Sequence, residues 1–151
     1  MFLPFNDPHL KIHVDRLLQS YLLWTGRELL PPGPQRCRAL FFQPFVVLSH
    51  GTQDDPILNY GNQAALDLWE MTWEEFTKTP SRLTAEPVNR EDREKLLEQV
   101  RLNGYIDTYR GVRISRSGRR FMIEKGTVWN IVDENKEYAG QAATFSRWTY
   151  L

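Results

Sequence analysis

His9 and His13 stand four residues apart, a spacing that on a helix turns two imidazoles to one face and can clamp a metal ion. No third ligand of the H-E-x-x-H kind accompanies them, and the remaining histidine, His50, is remote in sequence. Both are read as surface histidines. The single cysteine, Cys37, precludes an internal disulfide and a cysteine-rich zinc site, and nothing near it in sequence marks a reactive thiolate. Glu91, Asp92 and Glu94 are clustered carboxylates, but they fall in the first turns of an expected helix, where the helix dipole favours negative charge without any acid-base role. There is no G-x-S-x-G elbow, P-loop, G-x-G-x-x-G turn or paired Cys and His. No catalytic residue and no metal ligand set is expected, so the chain is read as a non-enzyme.

A binding site is the better prospect. The run Arg120 to Val132 alternates, with Phe121, Ile123, Lys125, Thr127, Trp129 and Ile131 on its more apolar face. That periodicity turns Lys125 and Thr127 inward, where a buried ammonium must be paired or must serve an anionic or polar ligand. The alternative is a strand end at which Lys125 reaches water along its own methylenes. Trp69, on a short helix, could close the same cavity with Trp129, or be ordinary core. Arg82, Arg113, Arg119 and Arg120 could gather into an anion site, guanidinium being suited to bidentate carboxylate contacts, or could be solvated surface groups. The candidate ligand-binding residues are therefore Trp69, Arg82, Lys125, Thr127 and Trp129.

Composition bounds what such a site can serve. The chain has 151 residues, 41% of them hydrophobic and 25% charged, enough for one domain with one core. Nineteen basic and nineteen acidic side chains cancel, which removes the electrostatic footprint of non-specific nucleic-acid binding. No apolar run approaches the roughly 20 residues of a membrane span, and Met1 to Asn6 lacks the basic start and apolar core of a signal peptide. A soluble, cytoplasmic chain is expected, with neither nucleic acid nor membrane as partner.

The elements that must position these residues are legible from caps and periods. Asp7 to Leu30 reads as an amphipathic helix with Asp7 as N-cap and Pro8 at its first position, stopped by Pro31, Pro32, Gly33 and Pro34. Residues 1–40 are read as this helix and a proline-rich linker packing on a domain formed by 41–151. Phe41 to Ser49 and Ile57 to Tyr60 read as strands. Asn62 caps a helix over Gln63 to Glu70, and Thr72 with Glu75 forms a capping box for Trp73 to Thr77. Asn89 is the expected cap of a helix over Arg90 to Leu102, closed by Asn103 and Gly104. From Tyr105 the period becomes two. Tyr105 to Ser115, Arg120 to Val132 and Tyr138 to Trp148 follow as a three-stranded meander.

The run Ile57-Leu58-Asn59-Tyr60-Gly61-Asn62-Gln63-Ala64-Ala65, with Asn89 to Asp92 and the closing three strands, resembles PAS domains. More narrowly, Thr79-Pro80-Ser81-Arg82-Leu83-Thr84, Gly111-Val112-Arg113-Ile114-Ser115 and Gly140-Gln141-Ala142-Ala143 are similar to the MEKHLA family, a PAS-like group found in bacteria and at the ends of some plant transcription factors. The resemblance runs from about Pro8 to Trp148. It implies an α+β fold: a five-stranded antiparallel sheet of order 2-1-5-4-3 with helices across one face, plus the N-terminal helix. It implies sensing or protein association, and no reaction.

Flavin photoreceptors of the PAS class need a cysteine beside the flavin, and the matching stretch here places Ser81 there, whose hydroxyl cannot replace a thiolate. They also use a glutamine on the last strand, and Gln141 is read as one residue out of phase, facing the opposite side. Haem-binding relatives hang iron from a histidine on the helices over the pocket, whereas His9, His13 and His50 all precede those helices. No cofactor is therefore expected, flavin and haem included. What remains is a stand-alone sensory or protein-interaction module that dimerises or docks through its N-terminal helix, or alternatively a small-metabolite sensor with a pocket between sheet and helices.

Overall fold

The computed structural model describes residues 4–151, and of Pro87 and Val88 the backbone alone. After a 3-10 turn at Pro4–Asn6, α1 (Pro8–Thr25) starts where the sequence places it: the Asp7 carboxylate accepts from His9 N at 2.9 Å, satisfying a donor left unpaired at the helix start. It ends five residues before the expected Leu30. Gly26 adopts the left-handed conformation at φ 73° and its N–H returns to Leu22 O, closing the helix before the prolines are reached.

The linker contains a helix that the sequence reading lacks, α2 (Arg36–Phe41). Phe41 and Phe42, read as the start of a strand, sit at its end, and Phe41 packs on Phe5 with ring centroids 5.7 Å apart. Aromatic β-propensity was misleading here, because Phe41 fills a core site that is indifferent to its backbone conformation. The first strand, β1 (Val46–His50), starts only after it, and β2 (Leu58–Gly61) pairs with β1 antiparallel.

Asn62 then caps α3 (Gln63–Trp69) and does more than cap. Its fully buried amide accepts from Ala65 N and Val47 N and donates to Leu40 O and Phe45 O, tying α2, β1 and α3 together. The expected capping box opens α4 (Trp73–Phe76), with Thr72 and Glu75 each bonding the other's backbone N–H. A 3-10 turn at Ser81–Thr84 leads to α5 (Pro87–Asn103). This helix begins two residues ahead of Asn89: Pro87 occupies its first position, where the missing N–H costs nothing.

The meander is β3 (Tyr105–Ile114), β4 (Arg120–Val132) and β5 (Tyr138–Phe145), followed by a sixth strand, β6 (Arg147–Tyr150). The sheet runs β2-β1-β5-β4-β3, all neighbours antiparallel, as the resemblance implied. β6 replaces the unbroken last strand expected to Trp148. It pairs with the start of β4, Phe121 opposite Tyr150 and Glu124 opposite Arg147, leaving Lys125 and Ser146 at a shared bend.

That bend corrects the reading of β4. Lys125 takes a left-handed backbone at φ 52° and is exposed, and the β3–β4 register shifts beside it, between Tyr109 and Gly111. One residue leaves the alternation, so every side chain beyond it changes face. Phe121 and Ile123 face α3 and α5 as expected, but from there on Val128 and Asn130 do so, while Trp129 faces α1. Helices therefore cover both faces of the sheet: α3 to α5 on one, and α1 on the other through Leu10, Val14, Leu17, Leu18 and Tyr21.

Candidate functional site

Between the sheet and α5 lies a cavity of about 60 Å³. Its walls are mainly apolar, Leu48, Leu58, Leu96, Leu97, Ile123 and Val128 among them, and Trp69 lines it as well, beside the polar Ser81, Thr84 and His50. Trp69 is held edge-on to Phe121 and Phe145, with centroids 5.2 and 6.2 Å away. Into this apolar lining the fold inserts two arginines. Arg93 stands on the inner face of α5, one turn before Leu96 and Leu97, and is 6% exposed. Arg113 comes from β3, two alternations after Tyr109, and is 8% exposed.

The two guanidinium groups are not alike. Arg93 donates to Ser81 Oγ and, at 2.9 Å, to the carboxylate of Glu94, which itself stands in solvent. Arg113 donates to Val112 O at 2.7 Å and lies over the Tyr109 ring, 5.2 Å from its centroid; among the described residues no carboxylate pairs with it. Burial lowers the pKa of both, with the neighbouring Arg113 adding to the effect on Arg93, which falls to about 10. Burial likewise raises the Tyr109 phenol and lowers His50, whose Nδ1 meets Gly51 O at 2.9 Å. The cavity thus places two buried guanidinium groups side by side in a low-dielectric setting.

Tyr109 is placed there by glycine. A Cβ on Gly111 would collide with Tyr109 Oη, and one on Gly126 would come within 3.1 Å of its ring. Tyr109 Oη and Trp69 Nε1 have no hydrogen-bond partner among the described residues although both are buried. Outside, between α5 and β3, an open groove of about 570 Å³ is lined by Asn89, Asp92, Gln99 and Thr108 together with Arg93, Leu96, Tyr109 and Arg113. Those last four residues also line the cavity, so the arginines stand at the junction of groove and interior.

The sequence-derived candidates do not gather into one place. Trp69 lines the cavity. Lys125 is exposed at the bend, not turned inward, for the reason given above. Thr127 and Trp129 are buried on the α1 face: Trp129 Nε1 donates to Leu17 O at 3.1 Å and its ring meets Tyr21 edge-on at 5.0 Å. Arg82 is on the surface, paired with Asp55 at 3.2 Å. Of the four arginines considered as an anion cluster, Arg113 alone reaches the cavity, since Arg119 lies over the Tyr150 ring and Arg120 pairs with Glu86.

Gln141 also departs from expectation. It faces the helices, lines the cavity and donates to Leu97 O at 2.8 Å and Asn130 Oδ1 at 3.2 Å. Gln141 pairs with Asn130 in register, and Asn130 had already changed face beyond the bend. His13, read as a surface histidine, is half-buried on the sheet-facing side of α1 with Nε2 2.9 Å from Ser49 Oγ. Arg93 and Tyr109 were missed although their signals were present. Arg93 shares the helical period of Leu96, Leu97 and Val100, and Tyr109, Gly111 and Arg113 share a period of two.

Comparison with known proteins agrees with this architecture. A family model, the MEKHLA domain, matches residues 11–150. The homeobox-leucine zipper protein ATHB-9 of Arabidopsis thaliana is 26% identical over 143 residues, which cover 89% of this chain and 17% of that protein, so the chain spans under a fifth of its relative's length. Among solved structures, a PAS domain from Colwellia psychrerythraea superposes with a TM-score of 0.64 at 18% identity, covering 78% of this chain and 94% of its own. A fungal LOV domain photoreceptor reaches 0.64 at 13% identity and 95% of both chains. The light-state dimer of the fungal blue-light photoreceptor Vivid reaches 0.57 at 16% identity, covering 84% of this chain and 91% of that one. At these identities the solved structures speak for the fold.

Proposed function

Because the chain belongs to the MEKHLA domain family, whose PAS-like sheet and covering helices it carries, we propose that it is a non-enzymatic sensory module that holds a small ligand in the cavity between the sheet and α5. The observation that carries this reading is the pair of buried arginines at the mouth of a cavity whose walls are mainly apolar. A module meant only for docking would be expected to fill its interior with apolar side chains, since burying cations without full pairing costs stability. Cavity and charge together support a site for a very small ligand, well below the size of ordinary drug-sized pockets.

A flavin does not fit the residues present. The cavity of about 60 Å³ is far below the roughly 300 to 1,000 Å³ of ordinary ligand pockets, and the serine at the expected adduct position, Ser81, is engaged by Arg93. That the Vivid and LOV structures come from photoreceptors is a property of those proteins.

Output by association with another protein, or with a second copy, is part of the same proposal. The apolar face of α1 is spent on the sheet, and Ile12, Leu22 and Leu23 remain exposed along the rest of the helix. These three offer the apolar contacts a partner would use.

Native mass spectrometry of gently purified protein, with a visible absorption spectrum on the same sample, tests the reading. A bound, colourless small molecule is the expected result. A protein that carries no mass and answers no small molecule would return the chain to the docking-module alternative, and a coloured species would reverse the rejection of flavin and haem.

A further inference from the structure

Resting on the sensor reading, we infer that the ligand of this cavity is a small organic monocarboxylate, held by Arg113 beside Arg93 and entering from the groove between α5 and β3. Charge is the first reason. Arg93 has Glu94 for company, while no carboxylate among the described residues pairs with Arg113. A single negative charge brought to Arg113 supplies the missing partner and converts a costly buried cation into a paired one.

Shape is the second. A guanidinium presents two parallel N–H groups that match the two oxygens of a carboxylate, and Arg113 commits Nη1 to one carbonyl. Tyr109 Oη, buried and without a partner among the described residues, adds a hydroxyl donor beside the same group. Leu48, Leu96, Leu97 and Ile123 supply apolar walls that suit a short hydrocarbon body, and the polar lining residues Ser81 and Gln141 are already hydrogen-bonded within the protein. Inorganic phosphate would need polar partners around its whole surface and carries more charge than the one unpaired cation balances.

Size and access are the third. About 60 Å³ holds a few waters or an acid of a few carbons rather than a long chain. The groove reaches Arg93 and Arg113 from solvent, so a carboxylate meets the arginines before its hydrocarbon meets the aliphatic walls.

Thermal melting and arginine-side-chain NMR of the whole chain, titrated in turn with sodium butyrate, 1-butanol and sodium phosphate, test the assignment, alongside the variants Arg113→Met and Arg82→Met. Butyrate is expected to raise the melting temperature and shift the Arg113 resonance, with butanol and phosphate doing neither. Arg113→Met should weaken the butyrate response about tenfold or more, the loss of one charge-assisted contact, and Arg82→Met should leave it intact. Should Arg113→Met fail to fold, the three titrations of the unmodified protein still decide the matter. Equal responses to butyrate and butanol, a stronger response to phosphate, or equal loss in both variants would overturn the assignment. A tightly held neutral molecule in native mass spectrometry, displaced by none of the three, sinks the carboxylate and leaves the sensor standing. If no probe acts and no mass is carried, both readings fall.

Discussion

Val128 and Trp129 are neighbours on β4 that serve opposite sides of the sheet: Val128 lines the cavity, while Trp129 Nε1 donates to Leu17 O in the middle of α1. The floor of the cavity and the seat of α1 are therefore one strand. A displacement of β4 from the cavity side would act on α1 without an intervening element, because close-packed interiors transmit strain.

Trp129→Phe removes the indole donor while keeping an aromatic ring against Tyr21. The expected cost is about 1 to 2 kcal/mol in urea unfolding, one buried hydrogen bond and some packing. Hydrogen exchange should quicken in α1 more than in α5. Equal acceleration in both helices would show that α1 has no separate attachment to the sheet.

Lys125 sits at φ 52°, a conformation that costs a side-chain-bearing residue roughly 1 kcal/mol and glycine almost nothing. Lys125→Gly is therefore expected to stabilise by up to about 1 kcal/mol, and Lys125→Met to change stability by under about 0.5 kcal/mol. Denaturation midpoints measure both. A large loss in Lys125→Met would mean that the ammonium is paired after all.

Asn62→Ala deletes an N-cap and leaves Val47 N, Leu40 O and Phe45 O without their side-chain partner in the interior. Caps contribute about 1 kcal/mol and each abandoned buried polar group about 1 to 3. A loss of roughly 2 to 4 kcal/mol is expected, larger than for Thr72→Ala, whose capping box is exposed. Similar melting temperatures for the two variants would contradict the role given to Asn62.

The protein should lose stability in mild acid through His13, whose pKa is lowered to about 4 by burial first and by Arg16 second. The unfolded histidine titrates near 6.5, so between roughly pH 6.5 and 4 the unfolded chain binds a proton that the folded chain refuses. Stability then falls as pH drops through that window, by at most about 3 kcal/mol, and does not change above it on this account. His13→Gln should reduce the pH dependence of the melting temperature, leaving the part of the same sign that buried His50 contributes. A dependence unchanged in His13→Gln would place the acid sensitivity elsewhere.

Much of the fold was legible because its signals are local. Asp7, Asn62, and Thr72 with Glu75 cap the helices they were expected to cap, since a cap is decided within a few residues of chain. The strand order came through the family resemblance rather than through any residue pattern. α2 went unseen because six residues without a side-chain cap carry no start signal, and its packing on Phe5 is not local.

The site was legible in its parts and not in its assembly. Local signals in the chain fixed three of the caps, at Asp7, Asn62 and Thr72, though not Asn89 for α5, and they carry the helical face of Arg93 and the two-residue period that joins Tyr109 to Arg113. Which faces meet depends on long-range packing. A left-handed residue at Lys125, with the matching break at Ser146, shifts two strands by one side chain, sending Trp129 to α1 and bringing Gln141 to the cavity. Alternation has a period of two, so one irregular residue reverses every assignment beyond it. That irregularity is fixed by pairing with a distant strand, which no local pattern records.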